Sequence, residues 1–325
     1  MTTDKSHNPP PFDPEVEPAL SLETALPASA DLKTLISRRG STPIQPILDA
    51  MTRRDIERED RSIPGPDGAP ELTVSVWKKR GHKEGGPGFY WIHGGGMVTG
   101  DRFASMAMVM EWVDRFDGLA VSVDYRLAPE NPDPAPLEDC YAGLCWMADH
   151  AGELGCDADR LLCCGSSAGG GLAAGTVLLA RDRGSPAIFA QVLIWPMIDD
   201  RNDTFSAQQM EGIGIWDLHA NEAGWTAMLG ERRGSEAVSI YAAPARAEDL
   251  TGLPPAYIEC TSVETFRDED VAYANRIWQA GGVCDLHVWA GGFHGVEGMV
   301  PDSAISVAMR QTRINFLERI LRTHY

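Results

Sequence analysis

The chain has 325 residues, 43% of them hydrophobic and 8% aromatic, with 28 Lys and Arg against 47 Asp and Glu, a formal net charge of −19. Acidity of that size repels a phosphodiester backbone and an anionic bilayer surface alike, which excludes nucleic acid and charged membranes as partners. The apolar content suffices for a large core, and the length suits two domains or one large α/β domain with an inserted cap.

Residues 1–11 are polar and proline-rich, without the basic and apolar regions of a secretory signal. The longest apolar stretches, 171–180 and 187–198, are too short or too interrupted to span a bilayer. The seven cysteines (140, 145, 156, 163, 164, 260 and 284) form no C-x-x-C pair and no zinc-like cluster with histidine. No metal is expected, and free thiols in a reducing cytoplasm are the simplest reading.

Residues 27–39 suggest a short helix before Gly40. From Arg54 the pattern changes: 56–63 and 72–77 alternate as strands around the turn-rich PGPDGAP and read as an antiparallel edge. Short apolar runs at 89–92, 119–123, 161–164, 190–195, 256–260 and 284–289 then alternate with helix-length segments. Those segments are 103–116, 136–154, a small-residue helix running to Arg183, 266–280 and 302–323. Continuous apolar strands between helices predict an α/β fold, a mostly parallel sheet covered on both faces. Residues 200–246, rich in Gly, Trp and Met, break this rhythm. The expected organisation is a cap segment at 1–53, a core at 54–199 and 247–325, and a cap insertion at 200–246.

Gly165-Ser166-Ser167-Ala168-Gly169 is a G-x-S-x-G between an apolar strand and a helix, the setting a nucleophile elbow requires. It would expose the Ser167 hydroxyl and aim the Ala168 N–H at an oxyanion. Residues 169–174 also fit the dinucleotide pattern G-x-G-x-x-A, but they lie too far into the helix, beyond the strand's turn. His93-Gly94-Gly95-Gly96 follows another apolar strand, and its glycines could present the N–H groups of Gly94 and Gly95 to the same oxyanion. A serine nucleophile needs a base and an orienting acid. Of eight histidines, His294 lies just after the last predicted strand, where the chain order Ser, acid, His places the base. Glu264, in the loop after strand 256–260, is the preferred acid; Asp268 is the alternative, although a first-turn acid is explained by the helix dipole alone.

With HGGG at 93–96, DYRLAPE at 124–130, GSSAGG at 165–170 and FHG at 293–295, the chain resembles the hormone-sensitive lipase-like esterases of the α/β-hydrolase superfamily. The resemblance implies an eight-stranded hydrolase core, a helical cap built partly from the N-terminal segment, and carboxylic-ester hydrolysis without a cofactor. It carries the nucleophile to Ser167, the base to His294 and the oxyanion donors to Gly94, Gly95 and Ala168. Two positions depart from the family pattern: Ser166 stands where an Asp is usual, and Glu264-Thr265-Phe266-Arg267-Asp268-Glu269 replaces D-P-L-R-D-E. Met97, Ile215, Trp216, Phe293 and Val296 are candidates for the pocket wall, with ordinary core packing as the competing reading. The family implies short- to medium-chain or aryl esters. The same triad would serve lactones, amides or carbamates, and a ligand-binding receptor on this scaffold is the reading from another class. The expected partners are a small-molecule ester and, at most, a second copy of the chain.

Overall fold

The structure is a computed structural model that describes residues 8–22 and 26–322. His7, His324 and the last residue of the helix expected at 302–323 lie outside the described residues. Eight strands form one sheet: β1 (Ile56–Ile63), β2 (Leu72–Lys79), β3 (Gly86–Ile92), β4 (Leu119–Asp124), β5 (Cys156–Ser166), β6 (Ala190–Ile194), β7 (Ala256–Val263) and β8 (Cys284–Phe293). Their spatial order is β1-β2-β4-β3-β5-β6-β7-β8. β2 runs antiparallel to β1 and β4, and all later pairings are parallel.

The helices are α1 (Leu32–Ser37), α2 (Gln45–Arg54), α3 (Met106–Phe116), α4 (Ala135–Asp149), α5 (Ala151–Leu154) and α6 (Ala168–Arg183). After them come α7 (Phe205–Gln209), α8 (Leu218–Leu229), α9 (Arg267–Gln279), α10 (Val296–Met299) and α11 (Ala304–Ile320). One face of the sheet packs against α2, α3 and α11 through Ile47, Val109, Trp112, Met309 and Leu317. The other packs against α4, α6 and α9 through Leu144, Leu172, Leu178, Tyr273 and Ile277. Strands covered on both sides favour apolar residues on both faces, which is why β3, β4 and β6 read as largely apolar runs, with Ser122 and Gln191 buried among them. No helix among the described residues is long and apolar enough to cross a membrane.

Several elements differ from the sequence expectation. β5 begins at Cys156 rather than 161, because its first half lies beyond the covered centre and tolerates Asp157, Asp159 and Arg160. β8 continues through the glycines to Phe293: the pairing with β7 shifts register between Thr261 and Val263, and Gly291, at φ 78°, absorbs the bulge. The helix expected over 136–154 is divided at His150 into α4 and α5. α2 was not expected; it opens with Pro46 in its first turn and ends at Asp55 in the left-handed region.

Some described residues of the N-terminal segment pack into the core. Phe12 packs edge-on against Phe293, and Val16, Ala19, Ile47 and Ala50 belong to the core on the α3 and α11 face. Among the described residues of the segment, Leu26, Leu35, Arg38 and Ser41–Pro43 stand over the strand ends. The 200–246 segment holds α7, α8 and two single-turn 3₁₀ helices. Its two ends are clasped together: Arg246 Nε donates to Asp200 Oδ1 at 2.5 Å, and Gly234 N to Asp200 Oδ2 at 2.7 Å. Asp200 is fully buried and the Arg246 side chain is 12% exposed, so removing one partner strands the other charge. Asp200→Ala is expected to lower the unfolding free energy by about 3–5 kcal/mol in urea titrations.

Candidate active site

Parallel strands bring their C-terminal ends to one edge of the sheet. The pairs Ile92 with Gly165, Ser166 with Ile194 and Ile194 with Glu259 align the ends of β3, β5, β6 and β7. The residues that follow those ends, with the end of β8 beside them, are His93, Ser167, Trp195, Glu264 and His294.

Ser167 has φ 57° and ψ −126°, a strained conformation for a residue with a side chain. Backbone bonds hold it there: Ser167 N donates to Ile194 O at 2.9 Å, and Ser167 O accepts from Met197 N at 3.0 Å. The flanking glycines are compelled by space. A Cβ on Gly165 would lie 2.1 Å from Gly169 O, and one on Gly169 would lie 2.1 Å from Ile92 O. α6 begins at Ala168, directly after Ser167, so the positive end of its dipole faces the serine. Residues 169–174 lie inside α6 and turn no phosphate loop.

His294 Nε2 is 3.0 Å from Ser167 Oγ, and His294 Nδ1 is 3.3 Å from Glu264 Oε1. Glu264 Oε2 accepts from Thr261 N at 2.7 Å and from Thr261 Oγ1 at 2.6 Å. Phe266 and Trp195 meet the His294 ring edge-on, at centroid distances of 5.1 and 5.7 Å. Asp268 is engaged elsewhere, accepting from Ser206 N at 2.7 Å and Arg267 Nε at 2.8 Å. Two further carboxyls lie close by in α9. Burial first, then the carboxylate of Asp199, pushes Glu269 well above the usual carboxyl range, against the N–H groups of Ile198 and Asp199 that lower it. Burial does the same to Asp270, whose oxygens find no donor among the described residues.

The glycine turn sits against the serine. A Cβ on Gly94 would lie 3.0 Å from Ser167 Cβ, Gly95 adopts φ 114°, and a Cβ on Gly96 would strike the Trp216 ring at 2.2 Å. His93 stacks on Tyr125, whose hydroxyl donates to His93 O at 2.9 Å. Burial pushes the His93 imidazole below its usual range, with the Gly94 carbonyl opposing. The remaining described histidines are occupied elsewhere: His82 with Gly155 O, His150 with Trp146 O, His219 with Glu211 and His287 against Tyr257.

A cavity of about 430 Å³ opens over Ser167, Gly94, Gly95 and His294. Of the five expected wall residues only Trp216 lines it. Met97, Phe293 and Val296 are fully buried in the core, and Ile215 packs on the core face shared with α3. Met97 has a left-handed backbone (φ 63°), and Phe293 packs on Phe12. The walls that sequence reasoning missed are Leu26, Leu35, Arg38 and Ser41–Pro43 from the N-terminal segment, with Trp195 and Ser166 from the strand ends. Thr261 and Phe266 were missed as the neighbours that hold Glu264 and His294. Their only signal is proximity to Glu264, which has no meaning until the end of β7 is known.

A family model for the α/β hydrolase fold matches residues 89–297. The esterase LipI of Mycobacterium tuberculosis is 34% identical over 251 residues, 74% of this chain and 76% of that protein. A bacterial heroin esterase structure superposes with a TM-score of 0.86 at 36% identity, covering 96% of this chain and 98% of that one. The esterase LipW of Mycobacterium marinum superposes with a TM-score of 0.86 at 28% identity, covering 98% and 99%. This chain belongs to the hormone-sensitive lipase-like esterase family of the α/β-hydrolase superfamily.

Proposed function

We propose that the protein is a serine carboxylesterase acting on small-molecule carboxylic esters, with Ser167 as nucleophile, His294 as base and Glu264 as the acid that orients it. The observation that carries this reading is the unbroken polar chain from Ser167 Oγ through both His294 nitrogens to Glu264, open to the cavity at the serine end. His294 takes the Ser167 proton as Oγ attacks the ester carbonyl. The N–H groups of Gly94, Gly95 and Ala168 receive the resulting oxyanion. Collapse of the tetrahedral intermediate expels the alcohol, which takes the proton from His294. Water, deprotonated by His294, then cleaves the acyl-enzyme and regenerates the serine.

The cavity volume and its two indoles favour short to medium acyl chains or aryl esters. A receptor with no chemistry to perform has no use for a histidine held 3.0 Å from a strained serine. The catalytic core spans 54–199 and 247–325, capped by the α1 region and the 200–246 insertion. All seven cysteines are free, which fits a reducing compartment such as the cytoplasm.

Ser167→Ala is expected to lower kcat on p-nitrophenyl butyrate by at least about a thousandfold, and near-normal turnover would refute the assignment. Glu264→Ala is expected to cost about a hundredfold or more in kcat and Asp268→Ala less than about tenfold, a comparison that identifies the acid directly. Thr261→Val removes one hydrogen bond to the Glu264 carboxylate; the fall in kcat is expected to be about fivefold, the equivalent of about 1 kcal/mol.

A further inference from the structure

Arg39 lies two residues beyond α1 and does not line the cavity. Its guanidinium nevertheless bonds to two segments far along the chain. Nε donates to Val98 O and Nη2 to Ala128 O, both at 2.7 Å. Nη1 and Nη2 also grip the Glu130 carboxylate, at 3.0 and 2.8 Å. The two carbonyls belong to the support of the glycine turn. Val98 N and Thr99 N donate to Gly95 O at 3.1 and 3.0 Å, and Ala128 N donates to Met97 O at 2.9 Å.

The residues around Arg39 in sequence face the substrate space: Leu35, Arg38, Ser41, Thr42 and Pro43 line the cavity. One side chain thus joins the N-terminal wall to the turn that carries Gly94 and Gly95. At the upstream end, Ser29 Oγ donates to Asp217 Oδ2 at 2.9 Å and ties the same segment to α8. A planar fork with several fixed donors suits a span across two carbonyls, which an ammonium on a flexible stem does not reproduce. The Glu130 contact is the weaker part, because the two side chains are 30% and 56% exposed and water screens the pair.

We propose that Arg39 is a positioning residue that sets chain-length specificity by holding the N-terminal wall in register with the oxyanion turn. An ester group long enough to rest on residues 35–43 is thereby placed with its carbonyl oxygen at the Gly94 and Gly95 N–H groups. An acetyl group is too short to use that wall. The inference rests on the carboxylesterase reading and on the oxyanion role proposed for the turn.

The test measures kcat and KM on p-nitrophenyl acetate and p-nitrophenyl hexanoate for wild type, Arg39→Gln, Arg39→Lys and Glu130→Gln, with folding checked by circular dichroism. In Arg39→Gln the hexanoate-to-acetate ratio of kcat/KM is expected to fall about tenfold, the scale of a lost pocket contact. Arg39→Lys restores only part of the ratio, and Glu130→Gln, which keeps both carbonyl bonds, changes it less than about threefold. Equal losses on both esters, or no loss, overturn the proposal. If Arg39→Gln does not fold, the ratio in Arg39→Lys decides by the same criterion. A folded wild type inactive on both esters instead refutes the carboxylesterase reading, and this proposal with it.

Discussion

The constraint on which the site depends is the close approach of β3, β5, β6 and α6 at Ser167. A non-glycine residue at φ 57° and ψ −126° costs of order 1–3 kcal/mol, and it persists only where the surroundings over-determine it. Here Ile194 O and Met197 N hold the serine's backbone from the β6 side, while Gly165 and Gly169 let the strand and helix backbones approach to distances that a Cβ would prohibit. The strain buries the serine's main chain and leaves its hydroxyl facing the cavity beside His294. The positions of Glu264 and His294 then follow from the sheet, because β7 and β8 end at the same edge.

Charge is used sparingly inside an acidic chain. No carboxylate occurs among the described residues that line the cavity, and Glu264 meets His294 from behind, both of its oxygens supplied with partners. The other buried acids serve the framework. Asp200 closes the 200–246 segment on Arg246, and Asp139 takes the Arg126 guanidinium and the Arg126 N–H. Burial pushes the carboxyls of Glu269 and Asp270 well above the usual range.

Beyond the strand ends and the glycine turn, two further segments wall the cavity. The N-terminal stretch supplies Leu26, Leu35 and residues 38–43, and the insertion supplies Trp216, seated on Gly96 and bonded through its carbonyl to Thr265. Arg39 and Ser29 fasten the first of these to the glycine turn and to α8. Met97, Phe293 and Val296, candidates for the wall with core packing as the competing reading, are buried in the core.

The strand-and-helix alternation, the turn at Ser167, the glycine turn and the histidine after the last strand are all legible in the residues alone. Each of these is a local requirement, written as an apolar run or as glycines where a side chain would collide. Tertiary contacts settle that β8 runs on through its glycines, that Thr261 braces Glu264 while Asp268 turns to Ser206, and which residues of the N-terminal stretch wall the cavity. Those outcomes depend on sheet register and on contacts between residues far apart in the chain. The same side chain is core or wall according to which neighbour fills the space beside it.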